Sequence, residues 1–271
     1  MSEDDNVLWT IGLNSRKLYE IPLGGTPANP TAPAAGDIDS WPATGDLTDL
    51  PGLPGTAAER DVNIRPFAVK CHRGKIYIGM VYTAESTVVF NAPNSTVSNT
   101  GDQSQLQGFV YEFDPDTDVF TQILSFPLDY PREQALDFCS NNGQAEFFPW
   151  SPVFDAPVFL AATEATTGSS IPERVYPQPW LVDLEFTEDG RLFLGLSDRF
   201  ADQHGYNQVQ PNVNAANDPN ILFTADAAGD ILVASLNTTG NTTYVLENNS
   251  SNGANGLPFG PTLGENQGEG P

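Results

Sequence analysis

The sequence predicts an all-β fold: a β-propeller-like array of four-stranded antiparallel blades, incomplete or completed by further chain. A β-sandwich is the alternative. Three observations predict it. Apolar and polar residues alternate at strand period in many short segments, while helical periodicity is nearly absent. Gly (24) and Pro (23) are both abundant, which favours turns over long helices. The chain also carries an internal repeat. Less than one tenth helix is expected.

The strands follow in order. VLWTIGL (7–13) and KLYEIPL (17–23) flank Asn14-Ser15-Arg16, a hairpin turn. Residues 24–65 lack periodicity and predict an irregular excursion. Strands are then expected at 66–71, 75–82, 86–91, 108–114 and 119–126. A second irregular stretch, 127–178, holds prolines at 127, 131, 149, 152, 157, 172 and 177. Further strands are expected at 179–186, 191–198, 220–226, 230–236 and 242–248. Residues 1–248 form the predicted domain, and 249–271 an Asn/Gly/Pro-rich tail or linker.

The repeat carries the architecture. Pro66-Phe67-Ala68-Val69 and Gly74-Lys75-Ile76-Tyr77-Ile78-Gly79-Met80 match Pro179-Trp180-Leu181-Val182 and Gly190-Arg191-Leu192-Phe193-Leu194-Gly195-Leu196. The offset is 113 at the proline and 116 at both glycines. Each unit runs on to a second hairpin, and two hairpins make one four-stranded sheet. Such sheets repeated about an axis are propeller blades. The N-terminal hairpin resembles the second half of a blade. About three blades are found where a closed ring takes roughly four to eight.

The formal charge is −24, from 11 Lys and Arg against 35 Asp and Glu. So negative a surface repels phosphate backbones and anionic lipid, which excludes nucleic-acid partners. No apolar run approaches the roughly 20 residues of a membrane helix, so membrane insertion is not expected. The opening MSEDDNV has no hydrophobic core of a signal peptide. Low lysine, high acidity and Asn/Thr/Gly richness point to an extracellular or cell-surface setting. Asn-x-Ser/Thr triplets stand at Asn94, Asn237, Asn241, Asn248 and Asn249, where chance gives about three. Cys71 and Cys139 lack zinc-ligand spacing; they read as two buried thiols or one disulfide.

The segments IRPFAVKCHRGKIYIGMVYTAES, GFVYEFDPDTDVFTQILSFPLDY and QPWLVDLEFTEDGRLFLGLSDRFADQHG resemble a group of bacterial surface proteins. Those proteins carry SdrD B-like (serine–aspartate repeat) or similar Ig-like repeats after a propeller-like N-terminal region. The likeness covers about residues 64–130 and 176–206, and the run from Gly195 to Gly205 is its most distinctive part. It implies a secreted, multidomain, surface-attached protein with no established enzyme activity. Neither a signal peptide nor Ig-like repeats are read here, so the chain reads as one module.

Several residues are candidates for chemistry. Asp114, Asp116 and Asp118 alternate as at the start of a calcium loop, but Val119 and Ser125 stand where an EF-hand needs Gly and Glu. A hairpin turn is the competing reading, and the favoured one. Asp183 and Glu185 share one strand face, with Lys70 and His72 at the matching repeat positions. They read as a solvated or ion-paired face, or as a glycosidase-like carboxylate pair. Asp198, Arg199 and Asp202 are expected to fix a loop, with Ca²⁺ as a possible shared ligand of Asp198 and Asp202. His204 is one of two histidines and a binding candidate. Trp41 and Trp150 lie in the excursions, as candidates for a carbohydrate platform or as packing anchors.

No nucleophile elbow, HExxH, P-loop or GxGxxG accompanies these residues. The expected function is therefore a non-enzymatic extracellular or cell-surface module for adhesion or assembly. Its partners would be copies of itself, other surface proteins or glycans. A carbohydrate-active or lactonase-like propeller enzyme with an acidic central pocket is the alternative.

Overall fold

A computed structural model describes residues 6–26, 29–91, 96–130, 146–152, 173–174, 176–205, 208–209, 222–225, 227, 229–237 and 243–246. The N-terminal part holds β1 (Val7–Gly12), β2 (Lys17–Pro22), β3 (Gly24–Thr26), β4 (Asn29–Thr31), β5 (Asp39–Trp41) and helix α1 (Ala57–Asn63). Next come β6 (Ile64–His72), β7 (Lys75–Tyr82), β8 (Val89–Asn91), β9 (Thr96–Asn99), β10 (Gln107–Asp114) and β11 (Val119–Pro127). Then follow β12 (Glu173–Arg174), β13 (Pro179–Phe186), β14 (Leu192–Asp198), helix α2 (Arg199–His204), β15 (Gln208–Val209), β16 (Leu222–Ala225), β17 (Asp230–Leu236) and β18 (Tyr244–Leu246).

Three antiparallel sheets make up the body. The first has the order β1-β2-β5, the second β11-β10-β7-β6 and the third β13-β14-β17-β18. Each of the two repeat units is one four-stranded sheet with strands in chain order. Local chemistry sets their hairpins. Arg73 and Gly74 both take positive φ in the two-residue turn between β6 and β7, the conformation whose twist matches paired strands. The longer turn after β13 closes through Thr187 N–H to Arg191 O (3.0 Å), with Gly190 again at positive φ.

The second sheet lies between the other two. Its Ile78 and Met80 face turns to the first sheet, where Phe113 meets Trp9 and Trp41 (ring centroids 6.0 and 5.2 Å). Its Gly79 face turns to the third sheet. A Cβ on Gly79 would lie 2.7 Å from Leu181 Cδ2, so the missing side chain lets β13 approach. Phe186 packs flat on His72 (4.4 Å) and tilts onto Tyr77 (4.5 Å), while Phe67 meets Trp180 (4.4 Å). One continuous core runs through all three sheets, from Trp9 and Leu18 through Ile78 and Val110 to Leu184, Leu194 and Leu232. The all-β class is as the sequence predicts. Stacked antiparallel sheets are common to a blade array and a layered sandwich.

Several expectations are corrected. Strands take 50% and helix 15% of the structure, above the tenth expected for helix. The short 3-10 turns Ala35–Asp37, Leu47–Asp49, Glu85–Thr87 and Gln103–Gln105 add to the two α-helices, and α1 starts on a capping box: Thr56 Oγ1 accepts from Glu59 N–H (3.3 Å), and Thr56 N–H donates to Glu59 Oε2 (2.7 Å). The excursion 24–65 is accordingly not irregular throughout. It supplies β3, β4, α1 and β5, the third strand of the first sheet. The strand expected at 86–91 starts with a turn at Glu85–Thr87, and among the described residues β8 pairs with β9 alone.

The repeat register also shifts. Phe67 bulges from β6 and Val182 from β13, so Ala68 lies opposite Gly79 and Asp183 opposite Gly195. The ladder equivalents of Asp183 and Glu185 are therefore Ala68 and Lys70, not Lys70 and His72. Most of 127–178, the tail 249–271, Cys139, Asn94, Asn241, Asn248 and Asn249 lie outside the described residues. Cys71 is half-buried and packs against the core.

Candidate functional site

The polar candidates gather at the ends of β6, β7, β13 and β14. Asp198 ends β14 and is fully buried. Its Oδ1 accepts from Phe200 N–H (2.9 Å), which caps α2, and from Gln178 N–H (3.0 Å), which ties the cap to the start of β13. Arg199 N–H donates to Gln178 O (2.9 Å), and its guanidinium donates to the Gln178 side chain. Asp202 Oδ2 accepts from Ser197 Oγ (2.6 Å). Asp198 and Asp202 thus hold the strand-to-helix connection through separate bonds.

Trp150 stands at the centre of this end. It is 7% exposed. Its indole N–H donates to Pro179 O (2.9 Å), and its backbone N–H donates to Thr83 O (3.0 Å). The Arg199 guanidinium lies 4.3 Å from the ring centre and Arg65 lies 5.8 Å away. Arg65 is paired with Glu85 (3.0 Å). Burial lowers the pKa of both guanidiniums from the ordinary arginine value. A ring so enclosed serves as a packing anchor and offers no open platform for a sugar.

His204 ends α2, half-buried, with its ring 4.7 Å from Phe200. Burial, and then the charge on Arg199, push its imidazole down to about 4, so it is neutral at physiological pH. Trp41 sits far from this group, at the end of β5. It packs on Trp9 (5.6 Å) and Phe113, and its indole N–H donates to Asp118 Oδ1 (2.6 Å).

That bond bears on the Asp114, Asp116 and Asp118 turn. Asp114 pairs with Lys75 (2.6 Å) and accepts from Asp116 N–H (3.0 Å), a turn-closing bond. The bond from Lys75 holds the Asp114 carboxyl below the usual carboxylate range. Asp114 and Asp118 point to different partners, so the turn does not assemble as a cation loop. No group of three or more His, Cys, Asp or Glu able to hold a metal gathers among the described residues.

Asp183 and Glu185 share one face of β13, as the alternation predicts. Glu185 is ion-paired to Lys70 of the preceding sheet. Asp183 is exposed and forms no ion pair among the described residues. The sequence reading missed Arg65, Glu85 and Gln178. Only their closeness to the strand ends could have signalled them.

One difference separates the two repeat units. Val110 lies opposite Gly79 and is 0% exposed. Ile231 lies opposite Gly195 and is 56% exposed. A Cβ on Gly195 would have as its nearest neighbours only atoms of Asp183 in its own sheet. The Gly79 face is covered by the next sheet; the Gly195 face is exposed at Ile231 and, on β18, at Val245 (49% exposed), and is buried between them at Val233 and Ser235.

No family model matches the chain. Colossin-A of Dictyostelium discoideum is similar in part. It is 28% identical over 109 residues, which is 40% of this chain and 1% of that protein. No helix among the described residues is long and apolar enough to cross a membrane.

Proposed function

We propose that the chain is a non-enzymatic extracellular or cell-surface module for adhesion or assembly, built as successive blades of a propeller-like array. The observation that carries this reading is the contrast between Val110 and Ile231. Equivalent positions of one repeated sheet are covered in one copy and open in the next. Ile231 and Val245 are two exposed apolar side chains on that face, and this reading takes them as contacts for a partner. Stacking in chain order supports the blade reading over a two-layer sandwich, because the second sheet is covered on both faces. A partial match to a short stretch of a much longer protein suits a module. So does the resemblance to bacterial surface proteins.

The carbohydrate-active or lactonase-like alternative has one observation in its favour: Asp183 is exposed beside Glu185 on β13. Against it, Lys70 already neutralises Glu185. The test is a turnover screen on glycans and lactones with the purified chain. No turnover above blank is expected. Hydrolysis that Asp183→Ala abolishes would overturn the non-enzymatic reading.

A further inference from the structure

We infer that Arg199 and Gln178 form a binding site for a singly charged carboxylate, held between the guanidinium edge of Arg199 and the side-chain amide of Gln178. The site goes beyond the adhesion reading and does not rest on it.

Arg199 differs from its fellow arginines. The chain has 35 acids against 11 Lys and Arg, so a guanidinium readily finds a carboxylate. Arg16, Arg60, Arg65 and Arg191 each lie 3.0–3.9 Å from one. Arg199 is half-buried and forms no ion pair among the described residues. One face of its guanidinium lies on Trp150, 4.3 Å from the ring centre. Its Nη1 donates to Gln178 Oε1 (2.5 Å). A guanidinium is a planar fork of donors, and Nε and Nη2 donate to no described residue.

Gln178 supplies the other half of the site. It is 2% exposed. Its backbone is fixed twice: the N–H donates to Asp198 Oδ1 (3.0 Å), and the carbonyl accepts from Arg199 N–H (2.9 Å). With Oε1 engaged by Arg199, the nitrogen of the same amide is held beside the guanidinium. That nitrogen donates to no described residue. Buried side-chain amides are normally bonded through both oxygen and nitrogen. A carboxylate suits this pair, because one of its oxygens takes a guanidinium N–H and the other the amide N–H.

Charge selects a monoanion. Arg65 stands at the same ring, 5.8 Å from its centre, and is matched by Glu85. Burial lowers the Arg199 pKa; Glu85 and Asp198 oppose that from a distance, and Arg65 adds to it. Two guanidiniums and two carboxylates leave no local excess of positive charge to hold a phosphate or sulfate dianion. The whole chain carries −24, so its field does not draw anions in. Recognition therefore comes from the fork and the amide, which fit two coplanar oxygens.

The experiment follows the arginine Nε–H resonances of the full isotope-labelled chain during titration with sodium acetate. Sodium chloride at the same ionic strength, about 0.1–0.3 M, is the control. The Arg199 resonance is the one that Arg199→Lys removes. A saturable shift is expected with acetate and none with chloride. Gln178→Glu places a carboxylate of the chain itself against Arg199, so acetate is expected to bind about tenfold more weakly or not at all. Should that variant fold poorly by circular dichroism, Arg199→Lys keeps the charge and loses the fork. The Trp150 indole N–H, which moves with acetate in the wild type, should then stay in place. A blocked peptide with a single glutamate is the second arm. Binding tighter than acetate assigns the site to an acidic side chain of a partner, and weaker binding to a free small carboxylate.

A shift linear in acetate, or an equal shift with chloride, overturns the inference. So does tighter binding of phosphate, or acetate binding that Gln178→Glu leaves unchanged. None of these outcomes depends on turnover or adhesion, so failure here and failure of the non-enzymatic reading are told apart.

Discussion

Lys70 on β6 and Glu185 on β13 occupy the same ladder position in two successive sheets and form an ion pair. Lys70 lies opposite Tyr77 and Glu185 opposite Phe193, each two residues past the partner of the repeat glycine. β6 and β13, each at the edge of its sheet, therefore meet base to acid from one sheet to the next. Both side chains are partly exposed, so solvent screens the pair. A double-mutant cycle of Lys70→Met and Glu185→Gln is expected to give a coupling of about 0.2–1 kcal/mol in urea unfolding, smaller at high salt. A coupling of zero would mean that the pair does not persist in solution.

Gly79 is the point at which the third sheet approaches the second. Its Cβ would lie 2.7 Å from Leu181 Cδ2 and 2.9 Å from Ala68 Cβ. Gly79→Ala is expected to destabilise by about 1–3 kcal/mol. Gly195→Ala meets only Asp183 Cβ at 3.2 Å and is expected to cost less. Leu181→Ala makes room for the new methyl, so Gly79→Ala with Leu181→Ala should cost less than the sum of the two. Additive melting shifts would place the contact elsewhere.

Asp198 joins two elements through one oxygen. Removing its carboxylate uncaps α2 and leaves the buried Gln178 N–H without its acceptor. Asp198→Ala is expected to cost about 2–4 kcal/mol, from the cap and the stranded donor together. Asp198→Asn keeps an acceptor and should recover part of this. Equal losses in both variants, read by urea denaturation, would assign the effect to charge and not to hydrogen bonding.

His204 gives the fold a pH dependence of definite sign. Its folded pKa is about 4 against an ordinary 6.5, so between those values the unfolded chain binds more protons. Stability contributed by the neutral ring is complete above about 6.5 and is lost as pH falls towards 4. The difference in melting temperature between wild type and His204→Gln should shift against the wild type across that window. A difference independent of pH would place the imidazole in a more solvated setting.

Calcium is expected to leave the melt unchanged at Asp114, Asp116 and Asp118, because Lys75 and Trp41 already engage Asp114 and Asp118. A rise of several degrees in millimolar Ca²⁺, abolished by Asp116→Asn, would show that these partners give way to the cation.

Local patterning was enough for the paired strands of the two repeat units and their hairpins, though not for β3, β4 and β5 in the excursion 24–65. Alternation in KIYIGMVY and RLFLGL is a local property, and so is the φ that Gly74 and Gly190 supply to their turns. The capping box Thr56-x-x-Glu59 was also local and legible, and the low overall helix content concealed it. Tertiary structure decided which side chains meet. The bulges at Phe67 and Val182 moved the register of β6 and β13 and brought Lys70, not His72, level with Glu185. A bulge depends on how a strand seats against its neighbour, so no pattern along the chain announces it. Trp150 was legible as an aromatic in a proline-rich excursion. Its enclosure by Arg199, Arg65 and Pro179 comes from elements up to 85 residues away in sequence, where only packing brings them together.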